Sequence, residues 1–334
     1  MSDELIQAQL PDSFDEFIVP PHWGIEKTQG KVGENLDLGN EELAIIRTDR
    51  KSAFDQVLGA VPSTGEINNR VSNFWFRLFK EEGGPANHYI EEIDPNATVV
   101  KKAARRLPVE VIVRGYITGE TSTALWRLYS EGARDIYGHH FRDGYQKGDL
   151  LDEPVITPTT KAEKGQHDER LTCDEVVERG LVDAETWEKV QTDALYMFKR
   201  AQEVALAHGL ILMDTKMEFG FDKDGNLMVI DELFTGDSSR FVLASTYHDN
   251  MAQGIDLDHQ DKEYLRLAYS RATGYKGGAA EAPAIPEPIV FETARRYIRL
   301  IEMLTGEPFV VNFDDPQKRI ARNIEDYMQR RQAA

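Results

Sequence analysis

Cysteine is nearly absent from this chain. Cys173 is the single one in 334 residues, which excludes an intrachain disulfide and any metal cage built from thiolates. Long apolar runs are missing too: no stretch approaches the roughly 20 residues of a membrane-spanning helix, and the opening "MSDELIQAQLPDSF" lacks the basic start and apolar centre of a secretory signal. Positive charge is scarce. With 39 Lys and Arg against 58 Asp and Glu, the formal net charge is −19, which disfavours non-specific nucleic-acid or anionic-membrane binding but leaves room for a local cationic pocket. No internal repeat or low-complexity tract is found, and no Ser-His-Asp or Cys-His order stands out. A soluble, cytoplasmic protein is expected.

Material for a core is ample, with a hydrophobic share of 41% that includes 15 Phe, 12 Tyr and 4 Trp. The length argues for one large two-lobed domain or two domains. Strands are expected at 42–48, 88–92, 97–104 and 109–117. Ile67, Val71, Phe74, Trp75, Leu78 and Phe79 recur at helical spacing, and Gly83-Gly84-Pro85 ends that run. A second helix is opened by Thr121–Thr123, and the glycine-rich segment 132–154 reads as an irregular surface excursion. A long helix follows at 183–208, with Asp183 as N-cap and Gly209 as stop. Residues 275–287 read as a linker, and helices at 288–305 and 315–331 close the chain. Strands first, then helices around a hairpin, predict an α+β fold with a cleft between a strand-rich lobe (1–107) and a larger lobe (108–334).

The hairpin is the stretch "LILMDTKMEFGFDKDGNLMVIDE" (210–232). Asp224-Gly225 is a two-residue turn signal, and that turn would place Glu218 directly opposite Asp231. Alternation would then put Asp214, Lys216, Glu218 and Asp231 on one face, with Met217, Phe219, Met228 and Ile230 on the other. Opposed carboxylates repel. Either the face is simply solvated, with Lys216 neutralising its neighbours, or a hard divalent cation bridges Glu218 and Asp231, as Mg²⁺ does with one or two carboxylates and substrate phosphates. A calcium loop fails, because Leu227 and Leu233 stand where glycine and the bidentate glutamate are required.

Three further stretches offer groups for anions. "TGDSSRF" (235–241) brings serines beside Arg240, whose paired donors suit phosphate or carboxylate. "TPTTKAEKGQHDE" (157–169) reads as a polar loop or a site, and "TQGKVG" (28–33) places Gly30 and Gly33 around Lys31, where amides and one ammonium could meet a phosphate. His139-His140 lack spaced partners and read as loop histidines.

Taken together, "TDRKSAFD" (48–55), "VEVIVRGYITG" (109–119), "TPTTKAEKGQHDE" and "DTKMEFG…IDE…GDSSRF" (214–241) resemble the SAICAR synthetase family. The resemblance implies a two-lobed, kinase-like fold related to the ATP-grasp enzymes, with ATP between the lobes. It also implies Mg²⁺, the substrates CAIR (carboxyaminoimidazole ribotide) and L-aspartate, and a ligation passing through an acyl phosphate. By matching position, Glu218 and Asp231 would be the Mg²⁺-linked carboxylates, Lys216 would lie by the transferred phosphoryl group, and Lys31 with Gly30 and Gly33 would meet the ATP phosphates. Glu110 would border the adenine. Arg114, Asp214, Ser239 and Arg240 would hold CAIR. Lys161, His167, Asp168 and Glu169 would line the side where CAIR and aspartate meet, and Ser52 and Asp55 would stand at the cleft. Lys216, Asp214 and Lys161 would be the catalytic group. The chain departs from the family pattern at four places: Gly33 stands in place of an arginine, Gly236 of a proline and Val242 of a tryptophan. At the fourth, Glu120 stands in place of a serine, a role Ser122 could take. A small-molecule kinase, or a catalytically silent ribotide- or nucleotide-binding relative, is the alternative; the oligomeric state stays open.

Overall fold

β1 (Lys27–Gln29), β2 (Gly33–Gly39) and β3 (Glu42–Arg47) form an antiparallel meander, followed by a separate hairpin of β4 (Arg50–Ala53) and β5 (Gln56–Ala60). After α1 (Thr64–Glu81), β6 (Tyr89–Asp94) and β7 (Ala97–Lys101) complete a sheet of order β1-β2-β3-β7-β6. The computed structural model describes residues 13–120, 123–161, 168–278 and 280–333. A second sheet begins with β8 (Arg105–Arg106) and β9 (Val109–Tyr116). It is interrupted by α2 (Leu125–Ser130) and the short ladder β10 (Asp135–Ile136)–β11 (His139–His140), then resumes with β12 (Leu150–Ile156) and β13 (Thr159–Thr160). Helices α3 (Cys173–Glu178) and α4 (Ala184–Ala207) precede the hairpin β14 (Leu210–Phe221) and β15 (Leu227–Ile230). β16 (Ser239–Leu243), α5 (Ala244–Gln253), α6 (Lys262–Thr273), α7 (Glu287–Thr305) and α8 (Pro316–Ala333) follow.

β14 changes partners along its length. Its first part, through Met217, lies between β9 and β16, whereas from Glu218 onward it pairs with β15 and, at Gly220 and Phe221, with β8. Lys216 and Glu218 therefore straddle the position where one ladder ends and another starts. Against this strand lies α4, which forms where it was expected: Asp183 accepts from Thr186 N at 2.9 Å, and Trp187, Val190, Ala194, Met197, Phe198 and Ala201 make a buried stripe. Gly115 is what lets α4 approach β9 beside Arg114. A Cβ there would stand 2.6 Å from the Gln202 amide and 3.1 Å from the Phe198 ring.

α1 joins the same large core through Ile67, Val71, Trp75 and Phe79, with Phe234 edge-on to Trp75 at 5.3 Å between ring centroids. The first sheet has its own core of Leu36, Leu38, Ala44, Ile46, Ala97 and Val99, and α8 covers it with Ile320, Ile324 and Tyr327. At about 1.5–3 kcal/mol for each fully buried large apolar side chain, α8 belongs to the first sheet although it is last in the chain. Elements on either side of residue 107 share sheets and cores: β8 pairs with β14, α8 packs on the first sheet, and α1 packs with the later residues.

Segment 132–154 is not irregular either. Tyr137, Phe141 and Tyr145 close a small core around Ile117, Leu125 and Tyr129. α5 and α6, which the sequence pattern did not suggest, lack a continuous apolar stripe; the buried residues of α6 are Glu263, Leu265 and Tyr269. Among the described residues no helix is long and apolar enough to cross a membrane.

Candidate active site

The hairpin closes one residue away from the expected register. Glu218 pairs with Ile230, Phe219 with Val229 and Phe221 with Leu227, so Glu218 does not oppose Asp231. Asp222 is the cause. Its carboxylate accepts from Asp224 N at 3.0 Å and Asn226 N at 2.9 Å, which stabilises a five-residue loop over 222–226 in place of a two-residue turn. Met228 and Ile230 consequently move to the Glu218 side of the ladder, and Ile230 Cδ1 lies 3.3 Å from where a Cβ on Gly220 would stand.

The two acids are nevertheless brought to common partners by another route. Asp231 sits just beyond the ladder at φ +68°, a left-handed conformation that aspartate tolerates better than most residues. That residue leaves the strand's alternation, and Arg47 Nη2 donates to its Oδ1 at 3.1 Å. Burial pushes the Asp231 carboxyl up, but Arg47, Lys216 and Lys161 outweigh it and hold it well below the usual carboxylate range. Lys161 and Lys216 both grip Glu218, one on each carboxylate oxygen, Lys216 at 3.1 Å. Lys216 also reaches Glu110 at 2.9 Å. Burial disfavours its charge, and Glu218, Glu110 and Asp231 more than restore it. Glu110, Lys161, Lys216, Glu218 and Asp231 thus form one alternating-charge cluster with Arg47.

Two residues earlier on β14 a second cluster begins. Asp214 Oδ2 accepts from Arg114 Nη1 at 3.3 Å and from Arg240 Nη1 at 2.6 Å, because β9 and β16 place both arginines directly opposite Asp214 in the ladder. Thr157 accepts from Arg114 Nε at 2.8 Å, while Arg240 Nη2 reaches Glu263 at 3.2 Å. Burial lowers Arg114 despite Asp214; for Arg240 burial is overcome by Asp214 and Glu263. Arg240 Nε is buried with no hydrogen-bond partner, one donor left over beside this carboxylate-bridged pair.

The glycine loop is the turn joining β1 and β2, closed by Gly30 N donating to Gly33 O at 2.9 Å. Lys31 Nζ lies 3.2 Å from Asp55. Gly33 has no room for an arginine's Cβ, which would stand 2.9 Å from the Ile46 carbonyl; Arg50 supplies a guanidinium instead, donating to Lys31 O at 3.1 Å and Gly30 O at 3.3 Å. Glu120 is neutralised by Lys147. Gly236 leaves space for the Tyr297 ring, which a Cβ would meet at 2.9 Å, and Val242 is a core residue packed with Met213 and Tyr247.

Other expected site residues are placed differently. Ser239 pairs with Thr215, and the two hydroxyls bond at 2.8 Å on the buried face, so Ser239 does not share the Asp214 face. Ser52 lies in the β4–β5 hairpin opposite Val57. Asp168 and Glu169 are exposed beside Arg170 and Arg179, with Glu169 bound to Arg179 at 3.1 Å. Ser122 and His167 lie outside the described residues. Arg47, Arg50 and Glu263 were missed, for their roles depend on partners 16 to 184 positions away rather than on any local pattern.

The likeness to known proteins extends over most of the chain. Residues 26–282 match the family model for SAICAR synthetase. The chain belongs to the SAICAR synthetase family. The phosphoribosylaminoimidazole-succinocarboxamide synthase of Legionella pneumophila (strain Lens) is 41% identical over 306 residues, covering 91% of this chain and 96% of that protein. Among solved structures, the SAICAR synthase from Saccharomyces cerevisiae complexed with SAICAR superposes with a TM-score of 0.74 at 26% identity, over 90% of this chain and 100% of the yeast one. A type-2 SAICAR synthetase in complex with ADP shares the fold, with a TM-score of 0.65 at 22% identity over 86% of this chain and 100% of that one. The mixed α/β architecture is therefore that of SAICAR synthetase structures.

Family membership implies a divalent metal, and the donor set can be tested for fit. Among the described residues no group of three or more His, Cys, Asp and Glu converges. A cage made wholly of protein ligands is not supplied. Two carboxylates, Glu218 and Asp231, sharing Lys161 and Lys216 as neighbours, fit a Mg²⁺ that completes its shell with phosphate and water oxygens.

Proposed function

We propose that this chain joins CAIR to L-aspartate in an ATP- and Mg²⁺-dependent ligation giving SAICAR, ADP and phosphate, through an acyl-phosphate intermediate. The carrying observation is the order of side chains along one face of β14. Asp214 lies between Arg114 and Arg240, and further along the strand Lys216 and, from β13's end, Lys161 both meet Glu218. An anion-binding arginine pair thus adjoins a cluster suited to phosphoryl transfer. The nucleotide would lie between the first sheet and β14, with Lys31 and the glycine loop at its phosphates and Glu110 toward its base. The SAICAR and ADP bound by the two solved relatives are in keeping with both ligand classes.

A carboxylate resists attack by an amine because it is anionic and has no leaving group. Transfer of the γ-phosphoryl group to a CAIR carboxylate oxygen makes a mixed anhydride; the aspartate nitrogen then bonds to the carbonyl carbon as the C–O bond to phosphate breaks. Lys161 and Lys216 are held by Glu218, and a polyphosphate would compete for those ammoniums. Lys216, kept charged by three carboxylates, neutralises charge on the transferring group. Mg²⁺ held by Glu218 and Asp231 would supply further neutralisation of the phosphates. Arg114 and Arg240, fixed by Asp214, orient the ribotide.

The pairing of Glu120 with Lys147 weighs against the catalytically silent alternative. Purified protein with ATP and Mg²⁺ should release ADP only when CAIR and L-aspartate are both present, and Asp231→Asn should abolish that release. ADP formation indifferent to aspartate would defeat the ligase reading. A stable phosphoester product seen by phosphorus NMR would favour a kinase.

A further inference from the structure

Beside the Arg47–Asp231 pair lies a small cavity of about 10 Å³. Its walls include His88, Ser72, Arg47 and Asp231, with Phe76 among the apolar ones. His88 comes from the segment linking α1 to β6 and is tied on both sides by its backbone: His88 N donates to Val229 O at 3.1 Å, and His88 O accepts from Lys101 N at 2.7 Å. His88 is 3% exposed, and its ring stands edge-on to Phe76 at 5.1 Å. Its Nε2 is buried and has no hydrogen-bond partner.

We propose that this cavity holds one ordered water joining His88 Nε2 to the Arg47–Asp231 pair, and that His88 is a positioning residue for the Asp231 carboxylate. The inference rests on the reading of Asp231 as a Mg²⁺–nucleotide carboxylate. Size limits the occupant, since a cavity near 10–15 Å³ of probe-occupied volume admits a single water and nothing larger. The unpartnered Nε2 supplies the anchor: a neutral imidazole has one donor and one acceptor, and either role can be met by a water. Arg47 spends Nη2 on Asp231 and has further N–H groups to give, and Ser72, whose oxygen accepts from Leu233 N at 3.0 Å, keeps a hydroxyl hydrogen. His88 thus acts on Asp231 through the water on the guanidinium that grips its carboxylate.

A high-resolution crystal structure of the wild-type protein should show one water peak within hydrogen-bonding distance of His88 Nε2; an empty cavity overturns the hydration site. Calorimetry with ADP, in the presence and absence of MgCl₂, tests the positioning role without relying on turnover. His88→Phe should lower the Mg²⁺-dependent gain in ADP affinity by about tenfold, in the range seen for partners that orient metal ligands, and should leave Mg²⁺-free ADP binding unchanged. His88→Gln, which returns a polar atom to the cavity, should recover most of the loss. A Mg²⁺ effect abolished by Asp231→Asn but untouched in both His88 variants overturns the positioning role alone. A Mg²⁺ effect that survives Asp231→Asn overturns the reading of the site and the positioning role with it.

Discussion

Asp237 is the residue whose loss should cost the fold most for the smallest change of shape. It lies in the loop between β15 and β16, and its Oδ1 accepts from Lys51 Nζ at 2.5 Å, Tyr297 Oη at 2.7 Å and Asn68 Nδ2 at 2.9 Å. Lys262 Nζ approaches Oδ2 at 3.5 Å. The Lys51 and Asp237 side chains are 1% and 2% exposed, so neither ammonium nor carboxylate is offered water. Asp237→Asn keeps the shape and removes the charge, leaving buried Lys51 and Lys262 without the carboxylate they share, and with Asp49 and Glu232 as the further anions nearby. Breaking a buried pair from one side costs about 3–5 kcal/mol, which for a chain of this size is a fall in Tm on the order of 10 °C.

Calorimetric unfolding of the variant and of Asp237→Asn/Lys51→Met measures this. The double variant should recover part of the loss, because one stranded ammonium has gone. A single variant costing less than about 1 kcal/mol, the value of an exposed pair, would refute the claim that this network is sealed from water. The pH dependence has a definite sign. Burial raises the Asp237 carboxyl, but Lys262 and Lys51 outweigh it and the folded pKa lies well below the ordinary value near 3.8. The unfolded chain therefore binds the proton first on acidification. The contribution of Asp237 is complete above roughly pH 4–5 and is lost progressively as pH falls toward the folded pKa.

Asp49 should show the opposite slope. Burial pushes its carboxyl up to about 6 in spite of bonds from Gly65 N and Phe14 N, so between about pH 4 and 6 the folded state holds the extra proton and stability falls as pH rises. Asp49→Asn should flatten that part of the stability–pH curve, and an unchanged slope would remove Asp49 as its source. At the candidate site, Ser239→Ala should lower kcat/KM only slightly, since its hydroxyl is spent on Thr215, whereas Arg240→Lys should raise the ribotide KM by at least about tenfold, because a lysine cannot hold Asp214 and Glu263 together. Steady-state kinetics that reverse this ranking would mean that Ser239, not Arg240, meets the ribotide.

The sequence was legible wherever a local period or a cap decides structure. α1, α4, α7 and α8 lie within a few residues of the expected positions, because each carries a stripe whose members, such as Trp187 and Phe198 or Ile320 and Ile324, end in a core. α5 and α6 were illegible for the converse reason: α5 follows β16 with Tyr247 as its one buried residue, and α6 packs through Leu265 and Tyr269 against α7 and the β4–β5 hairpin without a continuous stripe. The site was legible as a set of residue types on β14, and the Arg114–Asp214–Arg240 triplet follows from the ladder alone. Its counter-ions were not. Arg47 meets Asp231 across 184 positions, and no spacing rule reaches that far.

The one-residue error at the hairpin shows why the acids sit where they do. A two-residue turn at Asp224-Gly225 would have opposed Glu218 and Asp231 in a regular ladder, with their like charges forced together. The five-residue loop instead ends the regular pairing at Ile230 and leaves Asp231 free of strand geometry, so a left-handed φ can carry its carboxylate to Arg47. Each acid then has its own cation, with Lys161 and Lys216 on Glu218 and Arg47 on Asp231. Repulsion between the two carboxylates is thereby relieved by the chain's own side chains. On the function proposed above, a polyphosphate would compete for the same cations, and both carboxylates would then be open to the metal it carries.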